Sequence, residues 1–270
     1  MRDFLIEFLI FGLKQARACL FAGSFFAVLI ASRYVPLGDL PRYDFIFLAA
    51  IAIQVVLLAT RIESGREALV LCLFHAIGLI LELYKTHPSV GSWSYPEPGF
   101  LKIGTVPLYS GFMYAAVASY MCQAWRIFAL DLERYPSYWL NVPLCAAIYI
   151  NFFTNRYYQD LRFVLIPAVF VIFLRTRVNF TVWRGRQRHM PLVISFALIG
   201  FFIWVAENIA TFFGAWVYPE QTGRWTAVSF QKFSSWFLLV IISFLIVADL
   251  KHVRERRNRI KSEPVPSSDL

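Results

Sequence analysis

Apolar runs separated by polar breaks divide the chain into eight stretches: 16–35, 43–60, 67–84, 107–128, 138–154, 160–174, 190–213 and 229–249. Most approach the roughly 20 residues a helix needs to cross a hydrocarbon core about 30 Å thick. The fifth and sixth are shorter, and Asn151 and Asn155 interrupt the fifth. Six or seven spans therefore stay open beside eight. The first residues follow a different pattern. In MRDFLIEFLIFGLKQAR, Asp3, Glu7 and Lys14 share one helical face, with Phe, Leu and Ile elsewhere, as in a helix lying along an interface. No basic start followed by a small-residue cleavage site is present, so this segment does not read as a removed signal peptide.

Composition and charge sharpen the pattern. Of 270 residues 59% are apolar, 18% aromatic and only 16% charged, well below the charged share of an ordinary soluble domain. The net charge of +9 gathers between Arg175 and Arg188 and between Lys251 and Lys261, while each loop on the opposite side of an eight-span topology holds only two basic residues. That bias places both termini in the cytoplasm. Topology and anionic headgroups account for the excess, and no nucleic-acid partner is expected. Cys19, Cys72, Cys122 and Cys145 stand alone within apolar runs; they read as core residues, and neither a metal nor a cofactor is expected. The ending SEPVPSSDL is polar and Pro-rich and is expected to be disordered.

Two loops carry the same motif. GSWSYPE runs from Gly91 to Glu97, and GAWVYPE from Gly214 to Glu220. Each follows an acid in the preceding apolar run, Glu82 or Glu207, and each precedes a Gly (Gly99, Gly223) followed eleven residues later by a Ser (Ser110, Ser234), then Phe112 or Trp236. The two loops fall four spans apart, which puts them on one face of the membrane and suggests a parallel duplication. The expected fold class is thus all-α: a polytopic transmembrane helical bundle of about eight spans in two parallel four-helix repeats. Its expected divisions are an interfacial amphipathic helix at 1–15, repeats at 16–130 and 131–250, and a basic, disordered cytoplasmic tail at 251–270.

An acid inside a span is costly to expose to lipid and usually faces the bundle or a wet cavity. Glu82 and Glu207 are therefore the candidate acid/base groups, Glu207 being the deeper. Candidate substrate contacts are Trp93, Tyr95, Glu97 and Lys102 in the first copy and Trp216, Tyr218, Glu220, Lys232 and Asn208 in the second. The structural alternative is an aromatic belt with turn-forming Gly and Pro and water-facing Glu. His75 is expected to be a packing residue, and Asn151 and Asn155 to line the cavity or bond between helices. No metalloprotease, nucleophile-elbow or phosphate-loop motif occurs.

The blocks ELYKTHPSVGSWSYPEPGFLKIGTVPLYSGFMYAAVASY and AENIATFFGAWVYPEQ resemble a bacterial membrane family catalogued as a domain of unknown function, number 817. The resemblance covers nearly the whole chain and implies a multi-pass protein of the bacterial inner membrane. An acid, W-x-Y, then Gly and Pro-Leu is also similar to the repeated unit of lycopene cyclases and carotenoid hydratases. The paired Glu that follow the Pro there are missing after Pro107. Two functions from different classes follow: a site for a hydrophobic, lipid or isoprenoid molecule with acid/base Glu residues, or a proton-coupled transporter of a small solute. A structural membrane protein without catalysis is the third. Membrane lipids are the expected partners.

Overall fold

The computed structural model describes residues 2–262, with side chains through Ala248. The chain is mostly helical: α1 Arg2–Ala18, α2 Leu20–Ala31, α3 Arg42–Ala59, α4 Gly65–Thr86, α5 Ser110–Ile127, α6 Tyr138–Thr154, α7 Arg162–Phe173, α8 Leu192–Phe212 and α9 Gln231–Ser262. Every apolar run of the sequence forms one of the helices α2 to α9. Among the described residues four helical segments are long and apolar enough to cross a membrane: α3, α4, α8 and Gln231–Ala248 of α9. The apolar helices α2 and α7 have 12 residues each, about 18 Å at helical rise. Pro143 and Pro167 sit inside α6 and α7 without ending them.

Local chemistry sets the boundaries. Ser64 caps α4 with a capping box, its hydroxyl accepting from the Glu67 N–H at 3.3 Å while the Glu67 carboxylate accepts from the Ser64 N–H at 2.7 Å, which satisfies two otherwise orphaned donors. Pro41 and Pro191 stand immediately before α3 and α8, where a missing N–H costs nothing. The first glycine of each motif, Gly91 or Gly214, has a left-handed backbone, φ 53° and 67°, a conformation that a side chain disfavours.

Strands are the correction to an all-α reading. A hairpin pairs β1 (Lys102–Ile103) with β2 (Val106–Pro107), and an antiparallel sheet has the order β3 (Asp131–Glu133), β4 (Arg177–Thr181), β5 (Gln187–Pro191). The turn between β4 and β5 has left-handed Arg184 and Gly185, the backbone that a right-twisted hairpin needs. Helix α1 reaches this sheet through Glu7, which accepts from Arg188 Nε and Nη2 at 2.8 and 2.7 Å, and Lys14, which donates to the Thr181 carbonyl at 2.9 Å. Helix α9 also continues to Ser262, past the Lys251 boundary expected for a disordered tail. Residues 263–270 of that tail lie outside the described residues.

Helix α4 packs along α5 and α8 along α9, and α5 meets α9 through Trp125 and Phe244, whose rings stack 5.8 Å apart. The largest apolar cluster draws on α4 through α9; a second joins α2 and α3 to the two motif loops. Many large apolar side chains face outward, including Leu69, Phe163, Val171 and Phe202. Such a surface is unfavourable in water and natural in hydrocarbon.

Candidate functional site

Glu82 is buried one turn before the end of α4, and the chain then folds back over it. Its carboxylate accepts from Trp93 Nε1 and the Tyr95 hydroxyl, each at 2.7 Å, and from the Tyr114 hydroxyl of α5 at 2.9 Å. Glu207 of α8 is treated similarly. The Tyr218 hydroxyl donates to one oxygen and Trp236 Nε1 of α9 to the other, the latter at 2.7 Å. Burial holds the Tyr95 and Tyr218 phenols well above their ordinary range, so both remain protonated donors. Neutral donors thus surround each acid, which suits a buried carboxylate better than an apolar wall would.

The two loops touch at corresponding positions. Ser94 and Val217, the fourth residue of each motif, form an antiparallel bridge, with N–H to carbonyl distances of 2.9 Å in both directions. Trp93 packs edge-on against Tyr218 at 6.0 Å. Below the loops lies a cavity of about 1160 Å³. Its walls run from Phe8, Phe11 and Gln15 of α1 past Phe25 and Phe26 of α2 to Leu198 and Phe202 of α8. Leu198 and Phe202 are also exposed, so the cavity reaches the apolar outer surface beside α8. Its polar end carries Glu82, Lys85, Trp93, Glu207, Trp216, Tyr218, Glu220 and Lys232.

Not every sequence candidate reaches this end. Tyr95 bonds Glu82 from outside the cavity wall. Glu97 pairs with Arg33 at 3.0 Å and Arg42 at 2.9 Å, and Lys102 donates to the Glu97 carbonyl at 3.2 Å and lies over the Tyr43 ring at 5.6 Å. Both brace the loop. Asn208 is taken up by backbone, donating to the Trp204 carbonyl and accepting from the Val228 N–H, each at 2.8 Å. Asn155 lines the cavity, whereas Asn151 accepts from the Leu161 N–H at 2.7 Å and donates to Asp160 at 3.3 Å. His75 packs 4.5 Å from Phe112. Among the described residues no cluster of three metal-ligating side chains occurs.

Four contributors escaped the sequence reading: Tyr114, Trp236, Lys85 and Arg162. Trp236 ends the shared motif pattern, and Lys85 follows Glu82 by three residues on one helical face, so both carried a usable signal. Tyr114 and Arg162 did not, because their roles depend on packing between helices.

The fold and site define a mostly helical protein with four membrane-length helices and an acid-bearing apolar cavity. The chain belongs to the family described as protein of unknown function DUF817, whose model matches residues 7–244. It is similar to the uncharacterized protein YoaT of Bacillus subtilis (strain 168), 53% identical over 246 residues that cover 91% of this chain and 92% of that protein. No solved structure matches the chain. The family match and this relative do not show the likeness to lycopene cyclases expected from the motif residues.

Proposed function

We propose that the protein is a multi-pass inner-membrane protein of eight spans in two parallel four-helix units, with both termini cytoplasmic, that receives a lipid-like molecule in its central cavity and uses Glu207 as acid or base upon it. The observation that carries this reading is the cavity itself: apolar walls that open beside α8 end on two buried carboxylates. Pockets for hydrophobic molecules have this composition, mostly apolar with a few convergent polar groups. The pairing of Ser94 with Val217 supports the duplication, because equivalent residues meet as they would across a local twofold axis. The alternation of contacts supports the topology. The α2–α3, α4–α5 and α8–α9 connections meet at Arg42, Glu97 and Gly214, while α1 and the β3–β5 sheet meet at the other end.

Glu207 is the working group in this reading because it has two donors where Glu82 has three, and a cavity-lining lysine, Lys232, on the next helix. Mass spectrometry of organic extracts from the purified protein tests it. The wild type should carry a stoichiometric hydrophobic compound, Glu207→Gln should retain it, and Ala206→Trp, which fills the cavity wall, should lose it. An extract indistinguishable from that of an unrelated membrane protein would sink the lipid reading and turn attention to proton flux in liposomes.

A further inference from the structure

The polar end of the cavity holds cations that the acids do not neutralise directly. Lys85 is buried, 6% exposed, and lines the cavity. Its ammonium lies 4.4 Å from the centre of the Phe152 ring and 5.8 Å from that of Tyr84, and it forms no ion pair or hydrogen bond among the described residues. Lys232, at the start of α9, lies 4.1 Å over the Tyr218 ring and likewise lacks an ion pair there. Ring faces attract ammonium groups but leave their three N–H donors without acceptors. Lys232, Arg156 and Arg162 all repel the charge of Lys85.

Glu82, Glu207 and Asp160 are held by other partners, while Glu220 lines the cavity without an ion pair among the described residues. Glu82 and Glu207 accept from Trp and Tyr. Asp160, the acid that acts favourably on Lys85, is held by Arg162 Nε at 2.6 Å. Glu207 and Glu220 act favourably on Lys232 through space without pairing with it. Arg162 itself donates onward to Ser234 and Ser235 at 3.1 and 3.0 Å, and both Arg162 and Ser235 line the cavity. Two ammoniums that line one cavity without an ion pair among the described residues are costly to bury unless an opposite charge joins them.

We propose that Lys85 and Lys232, with Arg162 beside them, form a seat for an anion, and that the cavity's ligand is an amphiphile with a phosphate or carboxylate head on a long apolar chain. The inference rests on the lipid-cavity reading and adds the head group to it. The head sits between the two ammoniums, within reach of the Glu207 end, and the chain follows the apolar wall toward α1. A neutral hydrocarbon would fill the walls and leave the lysines as they are; a free anion would satisfy the lysines and leave the walls empty.

The test uses the full chain in nonionic dodecyl maltoside, with the fluorescence of the cavity tryptophans Trp93, Trp125, Trp216 and Trp236 as readout, and dodecyl phosphate, dodecanol and inorganic phosphate as probes. Dodecyl phosphate should bind saturably and at least tenfold more tightly than dodecanol. Lys85→Met/Lys232→Met should erase that preference, while Lys85→Arg/Lys232→Arg keeps it within a few-fold. Because the double Met variant can lose its fold, Lys232→Gln is measured alone, and dodecyl phosphate affinity unchanged in this folded variant overturns the seat. Equal binding of dodecanol and dodecyl phosphate by the wild type also overturns the seat and leaves the lipid cavity standing. If neither tailed probe binds, the lipid-cavity reading itself fails. Inorganic phosphate bound as tightly as dodecyl phosphate, with the same lysine dependence, keeps the anion seat and overturns its assignment to a tailed ligand.

Discussion

The two motif copies share their order of residues and differ in what those residues hold. In the first, Trp93 and Tyr95 both donate to Glu82, Glu97 is locked by Arg33 and Arg42, and Lys102 turns back onto loop carbonyls. In the second, Tyr218 reaches Glu207, and Trp216, Glu220 and Lys232 line the cavity, the last two without an ion pair among the described residues. The first copy ties Glu97 and Lys102 into its surroundings and reaches the cavity through Glu82 and Trp93. The second leaves Glu220 and Lys232 facing the cavity, as the proposed site requires.

The largest expected effect separates the two acids. Glu82→Gln replaces a carboxylate that accepts three hydrogen bonds with an amide that cannot accept them all. Leaving buried donors unmatched costs about 1–3 kcal/mol each, so thermal unfolding should fall by an amount corresponding to about 2–5 kcal/mol. Glu207→Gln should cost less, about 1–3 kcal/mol, and, on the proposed reading, remove the acid or base while the protein still folds. Equal destabilisation by the two substitutions would erase the division of labour. A neighbouring substitution sharpens the point. Gly78 lies against Tyr114 so closely that an added Cβ would overlap its ring, and Gly78→Ala should cost about 1–3 kcal/mol as the ring is displaced from Glu82. Comparing its unfolding temperature with that of Tyr114→Phe tells whether the loss runs through the hydrogen bond; a Gly78→Ala that leaves stability unchanged would remove Tyr114 from the argument.

The glutamates ending the two motifs provide the next contrast. Arg42 holds Glu97 while also donating to the Ser32 hydroxyl at 2.8 Å and to the carbonyls of Leu29, Phe213 and Gly214 at 3.0–3.1 Å. Glu97→Gln therefore weakens the knot joining α2 to both loops, at a cost of about 1–3 kcal/mol. Glu220→Gln should change stability by no more than about 0.5 kcal/mol. Denaturation of the two variants side by side reads the difference, and similar losses would mean that the second copy is locked as firmly as the first.

Why the copies looked alike in sequence is now physical. Periodicity and apolar runs located the helices α2 to α9, because burial or lipid contact fixes that pattern locally. The acids, Trp93 and Tyr218 were also legible, since an in-span carboxylate with repeated aromatic donors needs no distant partner to draw notice. The ion pairs of Glu97 were not legible, because its partners Arg33 and Arg42 lie between α2 and α3 and at the start of α3, and Arg42 in turn reaches Gly214, 172 residues away. The strands were missed for another reason. The Arg-rich stretch from 175 to 188 was read as a topology signal, whereas its alternation in RVNFT and its Arg184–Gly185 turn encode a hairpin.

The smallest expected effect lies at the opposite end and isolates the comparison from general loosening. The hydrogen bonds from Arg188 hold the Glu7 carboxyl below its ordinary value of 4.5, against an opposing push from desolvation. A carboxyl with a lowered folded value contributes stability above its unfolded value and loses it as pH falls through the folded one. Contact between α1 and the β4–β5 hairpin should therefore hold at neutral pH and weaken below about pH 4.5. Hydrogen exchange of the hairpin amides should accelerate a few-fold in Glu7→Gln at pH 7 and in the wild type only on acidification. The Glu82 and Glu207 ends should exchange as before in the variant. If the hairpin exchanges at the wild-type rate, the Lys14 bond to Thr181 carries the docking instead. If exchange at the motif loops rises with it, the two ends are coupled, and differences between the motif copies must be measured with α1 docked.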